Sequence, residues 1–161
     1  MKGHCHAFSR SPALPISSAR QIENLIARYS HLVDEGNFAE FGALLENADF
    51  VSGEVSIRGG KAIEDLIGSM LVVHDDGTLR TRHITTNILI EVNEDDNSAE
   101  SRSYYNILQA VPGLLPLQMV AGGRYRDRFE RRDGTWFFAR REVTIDFTGD
   151  TRHHLKTQQA A

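Results

Sequence analysis

The spacing of apolar residues changes about halfway along the chain, and this change restricts the possible folds more than any other feature. Up to about residue 71, apolar residues recur every three or four positions, as on one face of an α-helix. From Thr81 onward they alternate with polar residues, as in half-buried β-strands. Helices followed by consecutive strands favour an α+β domain over a parallel α/β sheet. We therefore expect a strongly curved antiparallel sheet with helices packed on its concave side.

The first half of the sequence predicts three helices. The first begins after Ser17, a residue type that caps helix N-termini, and ends near Gly36. A short second helix carries Phe38, and a third begins at about Lys61. Between the second and third helices, residues 48–55 predict one short strand.

The second half predicts an antiparallel meander of four long strands. Polar turns separate them, including Asp133-Gly134, a dipeptide typical of hairpins. The pair Gly122-Gly123 inside a strand pattern indicates a bulge or bend. The predicted strands cover residues 81–92, 99–111, 117–131 and 136–147.

Strict alternation along residues 81–92 assigns the side chains of this strand to two faces. One face is apolar and contains Ile84, Ile88, Ile90 and Val92. If helices cover the opposite face, this one is too apolar to remain in water, so we expect a homodimer formed through the sheet. The opposite, half-polar face suits a pocket wall and contains His83, Thr85, Asn87 and Leu89.

The 161 residues suit one domain, which we place at residues 18–150 between tails at 1–17 and 151–161. The N-terminal tail is rich in serine and proline, so we expect it to be flexible. No apolar run approaches the ~18 residues of a membrane span. The only cysteine is Cys5, which excludes an internal disulfide. We expect a cytoplasmic protein.

Two polar patterns do not predict functional sites. His4, Cys5 and His6 have the chemistry of metal ligands but lie in the predicted flexible tail, so we expect only adventitious metal binding there. The arginines between residues 124 and 132 alternate with acidic residues such as Asp127, and the net charge is −4. We interpret this strand as a solvated surface and predict neither nucleic-acid nor membrane binding.

Tyr29 and Asp34 lie near the end of the first predicted helix. Tyr29 is on the apolar stripe, so its ring should be buried. Asp34 lies in the last turn, where the helix dipole disfavours a carboxylate. Asp34 is therefore either a solvated turn residue or a carboxylate held by a cation across a pocket.

His83 and Arg141 are candidate site residues on the strands. A histidine can transfer protons near neutral pH if a carboxylate orients its ring, although a lone strand histidine is more often structural. Arg141 shares a predicted face with Phe137 and Ala139, so it needs an anionic partner, a ligand or a route to solvent. Arg140 faces the opposite way, and either arginine could be structural.

Several short motifs occur in a characteristic order and spacing. They are Tyr29-x4-Asp34-x-Gly36-Asn37-Phe38, Thr81-Arg82-His83-x2-Thr86-Asn87, Gly123-Arg124-Tyr125-x-Asp127 and Trp136-x-Phe138-x2-Arg141. Together they resemble the SnoaL-like branch of the nuclear transport factor-2-like superfamily, and the resemblance covers roughly residues 18–147. It implies a cone-shaped, curved antiparallel sheet closed by three or four helices around an internal pocket.

The resemblance also implies an activity. Scytalone dehydratase, bile-acid dehydratases and hexachlorocyclohexane dehydrochlorinase belong to this branch and use an Asp–His pair as a base, with no metal or organic cofactor. The matching residues here are Asp34 and His83, and the bile-acid dehydratases imply further catalytic roles for Tyr29 and Arg141. We expect the substrate to be bound by Asn87, Phe38, Tyr125 and Trp136.

The sequence therefore predicts a cofactor-independent lyase or isomerase, dehydratase-like, that acts on a small hydrophobic cyclic molecule. Polyketide cyclases and ketosteroid isomerases of the same superfamily fit this prediction. The alternative is a non-catalytic ligand-binding or assembly subunit, because the small subunits of ring-hydroxylating dioxygenases share the fold. A third possibility is a carrier that only sequesters a hydrophobic ligand.

Overall fold

The computed structural model describes residues 16–156, which form three helices and one six-stranded sheet. The predicted α+β class is confirmed, and so are all three predicted helices. The helices are α1 (Ser18–Asp34), α2 (Phe38–Leu44) and α3 (Gly60–Met70); the strands are β1 (Asp49–Ser52), β2 (Val55–Arg58), β3 (Thr81–Asn93), β4 (Ser98–Val111), β5 (Leu115–Arg132) and β6 (Thr135–Thr148).

Both ends of α1 follow from local chemistry. The Ser17 hydroxyl caps the first turn by accepting a hydrogen bond from the backbone N–H of Arg20 at 3.4 Å. Gly36, two residues after the helix, has a φ of 69°, and a Cβ there would lie 2.6 Å from the carbonyl oxygen of Gly77. Only glycine fits this turn without strain. The chain therefore changes direction at Gly36, and Asp34 is the last residue of α1.

The strands are ordered β2-β1-β6-β5-β4-β3 across the sheet. All neighbours are antiparallel except β1 and β6, which are parallel. The predicted meander is confirmed, and the β5–β6 register shifts between Gly122 and Gly123, where the sequence indicates a bend. The prediction of one strand at residues 48–55 is wrong. A turn at Gly53, with a φ of 58°, divides this region into the hairpin of β1 and β2.

The helices cover one face of the sheet, and the core lies between them. Along β4 every second side chain from Ala99 to Val111 is buried. Apolar residues of α1 and α3, including Ile26 and Ile63, belong to the same core cluster. The resulting layer fixes α1 against β3, where the candidate residues of the site meet.

A bulge in β3 makes part of the predicted face assignment wrong. Asn87 has a φ of 53°, and the β3–β4 register moves from Thr86 opposite Tyr104 to Leu89 opposite Arg102. Two β3 residues therefore stand opposite one β4 residue, and the alternation reverses after residue 86. As a result Asn87 and Leu89 do not share the face of His83.

The bulge also divides the apolar face predicted for dimerisation. Ile88, Ile90 and Val92 pack against the core. Ile84 and Leu89 lie on the outer, convex face, where they are 42% and 66% exposed.

Residues 151–156 pack onto the domain. Leu155 forms an antiparallel bridge with Leu71, and the side chains of Thr151 and His154 are buried. Residues 1–15, with His4, Cys5 and His6, and residues 157–161 lie outside the described part of the chain. Among the helices of the described part, none is both long and apolar enough to cross a membrane.

Candidate active site

Asp34 is held at the end of α1 by three short hydrogen bonds. It accepts from the Thr81 hydroxyl at 2.6 Å, from the His83 backbone N–H at 2.8 Å and from His83 Nδ1 at 2.6 Å. Burial alone would raise the pKa of the Asp34 carboxyl, but the hydrogen bonds from His83 and Thr81 outweigh burial and lower the pKa below its usual value. These donors compensate for the unfavourable helix dipole, so Asp34 is an ionised, oriented carboxylate.

The contact with Asp34 fixes the tautomer of His83. An ionised carboxylate only accepts hydrogen bonds, so Nδ1 of His83 is the donor, and a ring with a single proton presents its lone pair at Nε2. Both side chains are largely shielded from water, at 7% exposure for His83 and 8% for Asp34. A carboxylate that orients an imidazole in this way is the arrangement of a general base.

Asp34 and His83 line a groove of about 610 Å³ between α1 and β3. This volume falls in the range of small-molecule sites. Part of the wall is apolar, from Ile26, Ala27 and Ile88. The hydroxyls of Ser30 and Thr85, 3.4 Å apart, add a polar patch to the same wall. The groove can therefore accept an apolar molecule that has a few oxygen atoms.

Arg141 lies in the core rather than at this groove. Its Nε and Nη2 donate to the two carboxylate oxygens of Asp127 at 2.8 and 2.7 Å, and both side chains are fully buried. The guanidinium carbon lies 3.9 Å from the ring centre of Tyr29 and 4.1 Å from that of Tyr125. The anionic partner that the sequence requires for Arg141 is Asp127. Arg141 is not among the residues that line the groove, so the catalytic role that the resemblance implies for it stays a prediction.

A second bulge explains the position of Arg141. The β5–β6 register shifts between Phe129 opposite Phe138 and Arg128 opposite Arg140. Ala139 is the extra residue, so Arg141 points inward with Phe138 and not with Phe137. Arg140 lies on the other face, half-buried, with its Nη2 3.3 Å from Glu142.

Tyr29 packs against Arg141 in a buried group that we call the arginine cluster. Its members are Tyr29, Tyr125, Asp127, Phe138 and Arg141. The ring of Tyr29 is buried among Phe41, Tyr125 and Phe138, with ring centres 4.8 to 6.5 Å apart. Burial raises the pKa of the Tyr29 hydroxyl above its ordinary value, so it remains protonated. Tyr29 is not among the groove residues, although Ser30 and Asp34 of the same helix are.

The four residues predicted to bind substrate do not surround Asp34 and His83. Tyr125 stacks on Tyr105 in the core, with ring centres 4.4 Å apart. Trp136 is buried, with the Arg131 guanidinium 5.1 Å from its ring centre. Phe38 is half-buried at the start of α2, and Asn87 is exposed at the β3 bulge.

Sequence reasoning missed two residues of the site. Thr81 binds Asp34, and its position two residues before His83 on an alternating strand was an available signal. His154 is buried with its ring centre 6.5 Å from that of His83. It lies in a segment without periodicity, so no pattern predicted it. Burial, followed by the nearby His83, lowers the pKa of His154 to about 4.

We predict that His154 makes the protein less stable in mild acid. Between its ordinary pKa of 6.5 and the folded value of about 4, the unfolded chain binds a proton that the folded chain does not. The free energy of unfolding should therefore fall by about 3 kcal/mol as the pH drops through this range. Urea unfolding at pH 7 and pH 4 measures this loss. His154→Phe should largely remove it, and an equal loss in both proteins would contradict the assignment.

The fold and the site together define a class of protein. It is an α+β domain in which a curved sheet and its helices form a groove, and an aspartate–histidine pair lies in the wall of that groove. The chain belongs to the SnoaL-like domain family, whose pattern matches residues 15–142. No functionally curated protein matches the sequence. In the described range, no group of three or more His, Cys, Asp or Glu side chains could hold a metal ion.

Solved structures share the fold at low sequence identity. A provisionally named scytalone dehydratase from Novosphingobium aromaticivorans is 26% identical, with a TM-score of 0.64 over 82% of this chain and 86% of that one. An NTF2-like protein with a cystatin-like fold from the same organism is 22% identical, with a TM-score of 0.66 over 83% and 84%. A Catenulispora acidiphila protein, solved in complex with S-DNPA, is 21% identical, with a TM-score of 0.62 over 80% and 92%. The predicted nuclear transport factor-2-like fold is thus confirmed.

Proposed function

We propose that this protein is a cofactor-independent lyase or isomerase, dehydratase-like, that acts on a small hydrophobic cyclic molecule. The observation that carries the proposal is the 2.6 Å contact between Asp34 and His83 Nδ1 in the wall of the groove. A structural histidine does not need an oriented, ionised carboxylate on one ring nitrogen and an open groove beside it.

In the proposed mechanism, Nε2 of His83 removes a proton from a substrate carbon next to a carbonyl group or next to the carbon that bears the leaving group. Asp34 stabilises the resulting imidazolium through the Nδ1 hydrogen bond. In an elimination, the C–H electron pair forms the double bond as the C–O bond breaks, and the imidazolium returns its proton to the departing hydroxyl as water. In an isomerisation, the same proton returns to a different carbon. Hydroxyls of Ser30 and Thr85 line the groove and could contact substrate oxygens.

Tyr29 and Arg141 have a different role in this proposal from the one that the family resemblance implies. Their positions in the core, with Arg141 bound to Asp127, support a role in fixing α1 against the sheet. Arg141 packs against Tyr29, and Tyr29 and Asp34 belong to the same helix, so the two core residues help to fix the position of Asp34. In this proposal neither residue contacts the substrate.

Two further observations support the substrate class. The apolar share of the groove wall suits a hydrophobic ring, and the groove volume suits a single small molecule. Among the structures of the same fold, one is named for dehydration of scytalone and another holds a small ligand, S-DNPA.

The second candidate is a non-catalytic ligand-binding or assembly subunit. One observation favours it: the three hydrogen bonds to Asp34 also tie the end of α1 to the start of β3, so the carboxylate could serve the fold alone. In that case Asp34 would matter for stability and not for turnover.

A comparison of Asp34→Asn with the wild type tests the proposal. Hydroxylated steroid-like, polyketide-like and halogenated ring compounds should be screened for loss of water, loss of halide or double-bond migration. We expect Asp34→Asn to abolish most turnover, because an amide neither fixes the His83 tautomer nor stabilises the imidazolium. Asp65→Asn on the exposed face of α3 is the matched control. Full activity of a folded Asp34→Asn protein would reject the mechanism.

We also propose a homodimer formed through the convex face of the sheet. Exposed apolar side chains on that face, from Ile84, Leu89 and Tyr104, support this arrangement. Light scattering at micromolar concentration should give twice the 18.1 kDa chain mass, and a monomer would contradict the proposal. We place the protein in the cytoplasm, which cell fractionation would check.

A further inference from the structure

The last described residues fold back onto the Asp34–His83 pair. The ring of His154 lies 6.5 Å from the ring of His83, measured between centres, at an angle of 56°. His154 is almost completely buried there. A residue that follows the last strand thus becomes a neighbour of the proposed base.

The backbone of this segment is anchored without the His154 side chain. The carbonyl of His153 accepts hydrogen bonds from Gln109 Nε2 at 3.0 Å and His74 Nε2 at 3.2 Å. The carbonyl of His154 accepts from the Val72 N–H at 2.9 Å. Because these contacts hold the segment, the imidazole of His154 is not needed to keep the segment in place.

The imidazole of His154 is also costly where it lies. Its Nδ1 is buried and has no hydrogen-bond partner among the described residues. A buried polar atom without a partner costs stability that an apolar side chain of similar shape would not cost. The charged and titratable groups that influence this ring are Asp34, His83 and His74. The low pKa of about 4 keeps it neutral beside His83 at neutral pH.

We propose that His154 is a positioning residue of the Asp34–His83 site. Its neutral ring packs beside the His83 imidazole and confines it to the orientation in which Nδ1 donates to Asp34 and Nε2 remains free. The catalytic importance of this contact rests on the proposed function, but the contact itself can be tested without a substrate.

The test is ¹⁵N NMR of the imidazoles in the full chain at neutral pH. In the wild type, we expect His83 to show one tautomer with a slowly exchanging Nδ1 proton. His154→Ala should lose that proton signal or show mixed tautomers, whereas His154→Phe, which keeps a flat neutral ring, should retain it. His153→Ala is the matched control, because only the backbone carbonyl of His153 anchors the segment and that carbonyl remains.

Each outcome bears on the proposal. Loss of the His83 signal in His154→Ala, with retention in His154→Phe and His153→Ala, supports positioning whether or not a substrate has been found. An unchanged His83 signal in His154→Ala overturns the proposal, even if the protein is an active enzyme. Loss in the phenylalanine variant as well, or an equal loss in His153→Ala, also overturns it. If His154→Ala does not fold, His154→Gln replaces it, and an unchanged signal there counts against positioning.

Discussion

Replacing His83 with alanine should lower the rate of the proposed reaction by about 10²–10⁴-fold, the usual contribution of a positioned general base. The expectation follows from the fixed tautomer, since no other histidine contacts Asp34 in the described structure. The rate should be measured on the best substrate from the screen, with circular dichroism to check that the variant folds. kcat should fall more than KM rises, because proton removal belongs to the transition state.

The control for this prediction removes a histidine elsewhere. His153→Ala deletes the same side chain outside the groove and should leave the rate within a few-fold of the wild type. An active wild type with unchanged rates in both His83→Ala and Asp34→Asn would refute the Asp–His mechanism. If only His83→Ala were inactive, His83 would act without the carboxylate.

The Asp34–His83 pair could be predicted because the family resemblance assigned both residues to one base, and a local feature of each residue agreed with that assignment. Asp34 stood at the wrong end of a helix for a carboxylate, and His83 stood on the half-polar side of an alternating strand. Taken alone, Asp34 could be a solvated turn residue and His83 a structural strand histidine. In the structure α1 ends beside the start of β3, so the Asp34 carboxylate and the His83 ring meet and form a hydrogen bond.

The errors have a different physical origin. A bulge adds one residue to a strand, so it reverses every later side chain without a strong mark in the sequence. Asn87 in β3 and Ala139 in β6 are such residues, and they account for the misplaced dimer face and for the wrong neighbours of Arg141. His154 escaped because its position depends on tertiary contacts with Gln109, His74 and Val72, which no local pattern encodes.

The arginine cluster leads to the largest expected effect on stability. Asp127→Ala would leave the guanidinium of Arg141 fully buried with no anionic partner. Removing one member of a buried ion pair typically lowers the free energy of unfolding by about 3–5 kcal/mol, because the remaining charge cannot be solvated. Urea unfolding of the wild type and the variant measures this difference directly.

Asp146→Ala is the matched control for this prediction, because Asp146 also binds an arginine with both carboxylate oxygens. The two contacts to Arg124 are 2.9 and 2.8 Å, but this pair is partly exposed. Water can replace the lost partner, so the cost should be about 1 kcal/mol or less. Equal small losses in the two variants would mean that water reaches Arg141, and its guanidinium would then be available to a ligand. A large loss for Asp127→Ala alone would instead show that the ion pair is shielded from water and stabilises the core.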